Sequence, residues 1–219
     1  LRWMAAVDML DVNALQSLPL QRDRFTGNLL APLFDHLANA LQNESLLPCG
    51  EAVYACAKDV QLSRTQDLRD LFDPEQLGKV LKSEGPVWWL SPDITADRTP
   101  TLRQYLIREL DISEQSPESL LPRLTADFLR AQPDQWVVRL YEYLNKVPAV
   151  AERLRNLPLV RLENGRHVSA FAHGMPQAFF PSDIQTGFPT IRRDVCRSQE
   201  ATKFLQWLGL TPPDPVDDV

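Results

Sequence analysis

Proline placement constrains this chain more than any other feature. Its 219 residues hold 18 prolines and only 8 glycines. Proline fixes φ and lacks an amide proton, so it suits the first turn of a helix or the stretch just past a helix end. Pro74, Pro100, Pro117, Pro133 and Pro148 fall where helices should start, and Gly85-Pro86 and Ser91-Pro92 fence off a short segment. The chain therefore reads as many short elements, not as long helices or a Pro-rich linker.

Hydrophobic spacing fills in the elements. Trp3, Ala6, Val7 and Leu10 fall at helical spacing. Thr26 suits the cap of a second helix with Leu29, Leu30, Leu33, Phe34, Leu37 and Leu41 on one face and Pro32 near its first turn. Leu46-Leu47-Pro48 and Ala52 to Ala55 predict a small hairpin around Cys49-Gly50-Glu51. Asp67 to Phe72 and Pro74 to Lys82 predict short helices, and Val87-Trp88-Trp89-Leu90 a short buried strand. Further helices are expected from Pro100 to Leu110 behind Thr99, from Pro117 through Leu129 with a bend at Pro122, from Pro133 to Leu144, and from Pro148 to Arg155. Asn164-Gly165 sits between Leu159–Leu162 and Arg166–Val168, the strongest short hairpin signature, and predicts a two-residue turn with positive φ at both positions. Gln177 to Phe180 is a candidate third strand. Ser198 caps a helix with Phe204, Leu205 and Leu208, which Gly209 ends.

The fold class is thus α+β, predominantly helical, with two small antiparallel hairpin or three-stranded patches. The order of features suggests a tandem repeat. Leu47-Pro48 matches Leu157-Pro158, Asp93-Ile94 matches Asp183-Ile184, and Leu110-Asp111-Ile112 with Ser116-Pro117 matches Leu208-Gly209-Leu210 with Asp214-Pro215. This gives a helical lead-in at 1–45, a first hairpin–strand–helix unit at 46–121, a helical connector at 122–156 and a second unit at 157–219. Asp214-Pro215 reads as a cap and first position of a further helix, so both ends are expected to be cuts in a longer protein.

The formal net charge is −6, which disfavours broad electrostatic binding to nucleic acid. Cys49, Cys56 and Cys196 make neither a disulfide framework nor a zinc pattern, and reduced thiols suggest a cytoplasmic setting. His36, His167 and His173 lack metal-ligand spacing; His36 reads as helix surface. No nucleophile elbow, phosphate-binding loop or dinucleotide fingerprint occurs, so no catalytic, cofactor or metal residue is assigned. Glu163 and Asp183 are lone carboxylates. Cys196 lies beside Arg192, Arg193 and Arg197, which could lower its pKa, though a structural thiol is the plainer reading. The segment Gly187 to Arg193 joins an aromatic, a proline and two arginines, which makes Phe188, Arg192 and Arg193 candidates for an interaction surface.

The segments Leu157 to Val168, Ala178-Phe179-Phe180-Pro181 and Phe204 to Leu210 through Val219 resemble parts of very large bacterial ATP-binding proteins. Those proteins carry an N-terminal sacsin-like ATPase domain of the Hsp90/histidine-kinase type, and the similar segments lie downstream of it. Leu46 to Leu110 resembles them more weakly. The family's ATP-site signatures, an Asn-bearing helix with a nearby acid and an Asp-x-Gly-x-Gly lid, do not occur here, so no ATP-site residue carries over. The resemblance implies a non-catalytic scaffold or chaperone-like coupling module without a cofactor, acting on other domains of its parent chain or on protein clients, and not on a membrane. A hydrolase or nucleic-acid-processing domain is the competing expectation.

Overall fold

The computed structural model describes residues 11–18, 27–147, 155–182 and 187–213. The expected opening helix on Trp3 to Leu10, the Thr26 cap, most of the helix from Pro148, Asp183-Ile184 and the Asp214-Pro215 start lie outside the described residues. The chain divides into two compact units, Leu1–Ser116 and Pro117–Val219.

In the first unit, helices α1 (Val12–Gln16) and α2 (Gly27–Asn43) precede the hairpin β1 (Leu47–Gly50) and β2 (Val53–Ala55). Pro32 lies inside α2, one turn deeper than the sequence suggests. Strand β3 (Val60–Ser63) follows, then α3 (Gln66–Leu71) and α4 (Pro74–Leu81), β4 (Trp88–Trp89), α5 (Pro100–Arg108) and β5 (Glu114–Gln115). Asp73 and Gln76 close a capping box at the start of α4, with Pro74 in its first turn. Thr99 precedes α5 but makes no side-chain cap; its hydroxyl donates back to the Thr95 carbonyl at 3.1 Å.

Strand β3 is the centre of this unit, and the sequence reading did not place it. Its buried Val60 and Leu62 alternate with half-buried Gln61 and Ser63. It pairs in parallel with β4 on one side and β5 on the other. The chain is mixed α+β with small antiparallel hairpins, as expected, but this three-stranded sheet is parallel, which follows from the helices: α3 and α4 carry the chain from β3 to β4, and α5 carries it from β4 to β5. Leu37, Leu41, Leu47, Val60, Leu62, Leu90, Leu102 and Leu106 share one core cluster. Trp89 is buried, and its indole N–H donates to the Phe72 carbonyl at 2.9 Å.

In the second unit, the helix expected from Pro117 to Leu129 is broken. It becomes α6 (Pro117–Leu120), a 3₁₀ turn at Leu121–Arg123 and α7 (Ala126–Arg130), with Thr125 accepting from the Phe128 amide as a new cap. Pro122 cannot donate to a continued helix. Then come α8 (Asp134–Asn145), β6 (Val160–Arg161), β7 (His167–Val168), β8 (Phe171–Ala172), β9 (Met175–Pro176) and α9 (Gln199–Trp207). Ser198 caps α9, and α9 packs on α8 with the Tyr141 and Phe204 rings 5.4 Å apart.

The β6–β7 turn is not the expected two-residue one. Arg161 pairs with His167, which leaves an odd loop. The Gly165 amide donates to the Leu162 carbonyl, and Gly165 has φ 79°, while Asn164 is not among the positive-φ residues. Glu163-Asn164 is therefore the centre of an ordinary turn, followed by a left-handed Gly165. The pair of positive φ values occurs instead at His173 (52°) and Gly174 (79°), which join β8 to β9.

The two units share one backbone plan. The pairs Leu47–Ala55 and Pro48–Tyr54 recur 113 residues later as Val160–Val168 and Arg161–His167. The Ser91 amide donates to the Pro48 carbonyl at 2.8 Å, as the Arg192 amide does to Arg161 at 2.9 Å. Leu90 donates to Gln61, as Ile191 does to Phe179, and Phe179 and Thr190 bridge in parallel as β3 and β4 do. Leu62 donates to the Ser113 carbonyl at 3.0 Å, as Phe180 does to Thr211 at 3.1 Å. Leu106 and Phe204 are both buried, 98 residues apart, as are Leu110 and Leu208. The strand alignment differs from the sequence expectation. The Phe-rich strand corresponds to β3, and the Trp-rich strand corresponds to Pro189–Ile191, because β8–β9 is extra in the second unit and α3–α4 is extra in the first.

Candidate functional site

Of the residues proposed from sequence, Arg192 lies at the start of α8 in the second unit. Asp134 stands at the first position of that helix, where its carboxylate favours the positive end of the helix dipole. Its two oxygens form ion pairs with Arg161 Nε at 3.0 Å and Arg192 Nε at 2.7 Å. Arg161 is buried, so its charge needs these partners; its Nη1 also donates to the Gln132 carbonyl at 2.7 Å. The Tyr141 hydroxyl donates to the Leu159 carbonyl at 2.7 Å and accepts from the Arg161 amide at 3.0 Å, so α8 and β6 are fastened together at the same place. Burial raises the Tyr141 pKa.

Arg192 is thus a structural partner of Asp134 and not a freely solvated cation. Phe188 is half-buried, with its ring 5.0 Å from that of Phe179. Arg193 is exposed in a 3₁₀ turn, and its amide donates to Glu163 Oε2 at 3.1 Å. Of the three sequence candidates, Arg193 has the side chain most open to a partner. The signal that could have separated Arg192 from Arg193 is the buried bridge residue Ile191 directly before Arg192, with Arg193 already in the following 3₁₀ turn.

An open groove of about 870 Å3 runs beside this cluster, lined by Pro133, Asp134, Trp136, Arg139, Asp194 and Arg197 among others. Asp194 and Arg197 pair with each other at 2.8 Å. The groove mixes both charge signs with an apolar wall.

The thiols move away from reactivity. Burial, aided by Glu163, pushes Cys196 up to about 11, against the lowering its arginine neighbours suggested. Burial pushes Cys49 to about 12, and burial with the Asp59 carboxylate raises Cys56. His167 is buried in β7, where desolvation and then the Arg161 charge bring it down to about 4. His36 and His173 are exposed. Among the described residues no group of three His, Cys, Asp or Glu could hold a metal ion, and no helix is long and apolar enough to cross a membrane.

No protein family, curated protein or solved structure matches the chain.

Proposed function

We propose that this chain is a non-catalytic scaffold or coupling module, a stretch of tandem sheet-and-helix repeats within a larger ATP-binding protein of the cytoplasm. The observation that supports this reading is the recurrence of one hairpin register and one set of backbone hydrogen bonds in both units. Tandem copies of a unit too small to bury both faces of its sheet are the building plan of extended scaffolds. In this reading Arg193 and Phe188 offer a contact for another domain of the parent chain or for a protein client.

The competing reading is a hydrolase or nucleic-acid-processing domain. A panel of ester, phosphomonoester, peptide and single-stranded nucleic-acid substrates separates the two. The scaffold reading expects turnover at the uncatalysed background. Turnover above background that Asp194→Asn or Glu163→Gln abolishes, in protein that remains folded, overturns it.

A further inference from the structure

The two units differ most where the first carries α3 and α4 between its central strands. That insertion builds a cleft of about 440 Å3 which includes Ser63, Arg64, Thr65, Arg69, Thr95 and Arg103 in its lining. The cleft lies at the carboxyl end of β3, in a parallel three-stranded sheet. Parallel sheets present their ligands at that edge, because the connecting loops diverge there and leave a crevice.

Three arginines line this cleft although the chain as a whole is acidic. Arg103 is paired with Glu114. Arg64 and Arg69 have no carboxylate within ion-pairing distance among the described residues, and Asp97 is the other acid of the lining. Arg69 is half-buried, and desolvation lowers its pKa against the raising effect of Asp70, Cys49 and Asp93. A partly desolvated cation that forms no direct ion pair with its acidic neighbours favours an added anion. The Thr65 and Thr95 hydroxyl oxygens each accept from a backbone amide, of Leu68 and Arg98, which leaves their own protons free to donate. Pro92, Ile94 and Ala96 supply an apolar wall.

We propose that this cleft is an anion-binding site for a phosphate group, free or carried by a small ester, held by Arg64 and Arg69 with Arg103 and the two threonine hydroxyls in support. Forked guanidinium donors match the tetrahedral oxyanion. The second unit lacks α3, so it has no equivalent of Arg69, and the site belongs to the first unit alone. The proposal does not depend on the scaffold reading.

Calorimetric titration of the whole chain with inorganic phosphate and with phenyl phosphate, at low ionic strength and without metal, tests it. One saturable site is expected, with a dissociation constant on the order of 1 mM. Tighter binding of phenyl phosphate identifies an ester as the ligand, through the apolar wall, and tighter binding of inorganic phosphate identifies the free ion. Arg69→Gln should weaken binding about tenfold. Arg64→Gln, at an exposed side chain that the fold does not need, should weaken it severalfold, and Arg197→Gln in the second unit should leave it unchanged. The absence of a saturable site up to about 20 mM, equal binding of acetate, or equal loss on Arg197→Gln overturns the proposal.

Discussion

Asp111 and Gly209 hold the same left-handed backbone position in the two units, with φ 53° and 90°. Each follows the helix that leads into the last strand position. The next amide then turns back onto that helix: Ile112 donates to the Leu106 carbonyl and Leu210 to Leu205. Only glycine adopts this conformation without a steric cost from Cβ.

The pair makes opposite substitutions informative. Asp111→Gly should stabilise the first unit by about 1 kcal/mol. Gly209→Ala should destabilise the second by about 1–2 kcal/mol, since its Cβ would also lie 3.3 Å from the Phe171 ring. Urea denaturation midpoints measure both.

Gly78 is required for a different reason. A Cβ on it would lie 2.3 Å from the Gly85 carbonyl oxygen, which is backbone and cannot turn aside. Gly78→Ala should cost about 2–3 kcal/mol by forcing α4 away from the approach to β4. Lys79→Ala, one residue on and exposed, should stay within about 0.5 kcal/mol in the same denaturation experiment.

The buried His167 links stability to pH. Its folded pKa of about 4 lies below the ordinary 6.5, so the folded state favours the neutral ring. Its contribution is fully present above pH 6.5 and is lost as pH falls from there through 4. The loss should be on the order of 2 kcal/mol, less than the full shift implies because the ring keeps some access to water. The difference between wild type and His167→Gln across this window isolates it from the carboxylates.

Asp134 holds two arginines, one of them buried. Asp134→Ala leaves Arg161 without its counter-ion and should cost about 3 kcal/mol. Arg192→Ala removes only the half-exposed partner and should cost about 1 kcal/mol or less. Thermal unfolding of the two variants gives the ordering.

Much of the helix pattern was legible because proline marks it. Pro74 and Pro100 each open a helix as expected, and Ser198 and Gly209 bound α9. The sheet was harder to read. Val60 to Ser63 is four residues long, and parallel pairing is decided by distant strands, which local pattern does not record. Missing β3 shifted the repeat alignment by one strand, so the Phe-rich and Trp-rich segments were matched with each other. The Asn164-Gly165 turn was placed correctly, but its type depends on the register of Arg161 with His167. The Asp134–Arg161–Arg192 cluster joins residues far apart in sequence, and no spacing rule brings them together.

The central claim is that one hydrogen-bonding plan is used twice, and nuclear Overhauser contacts between strands in the intact chain test it most directly. The account predicts parallel-strand contacts of Gln61 with Trp89 and of Phe179 with Thr190, together with slow amide exchange at both Leu62 and Phe180. Antiparallel contacts at either pair, or a protected Leu62 beside a freely exchanging Phe180, would contradict it.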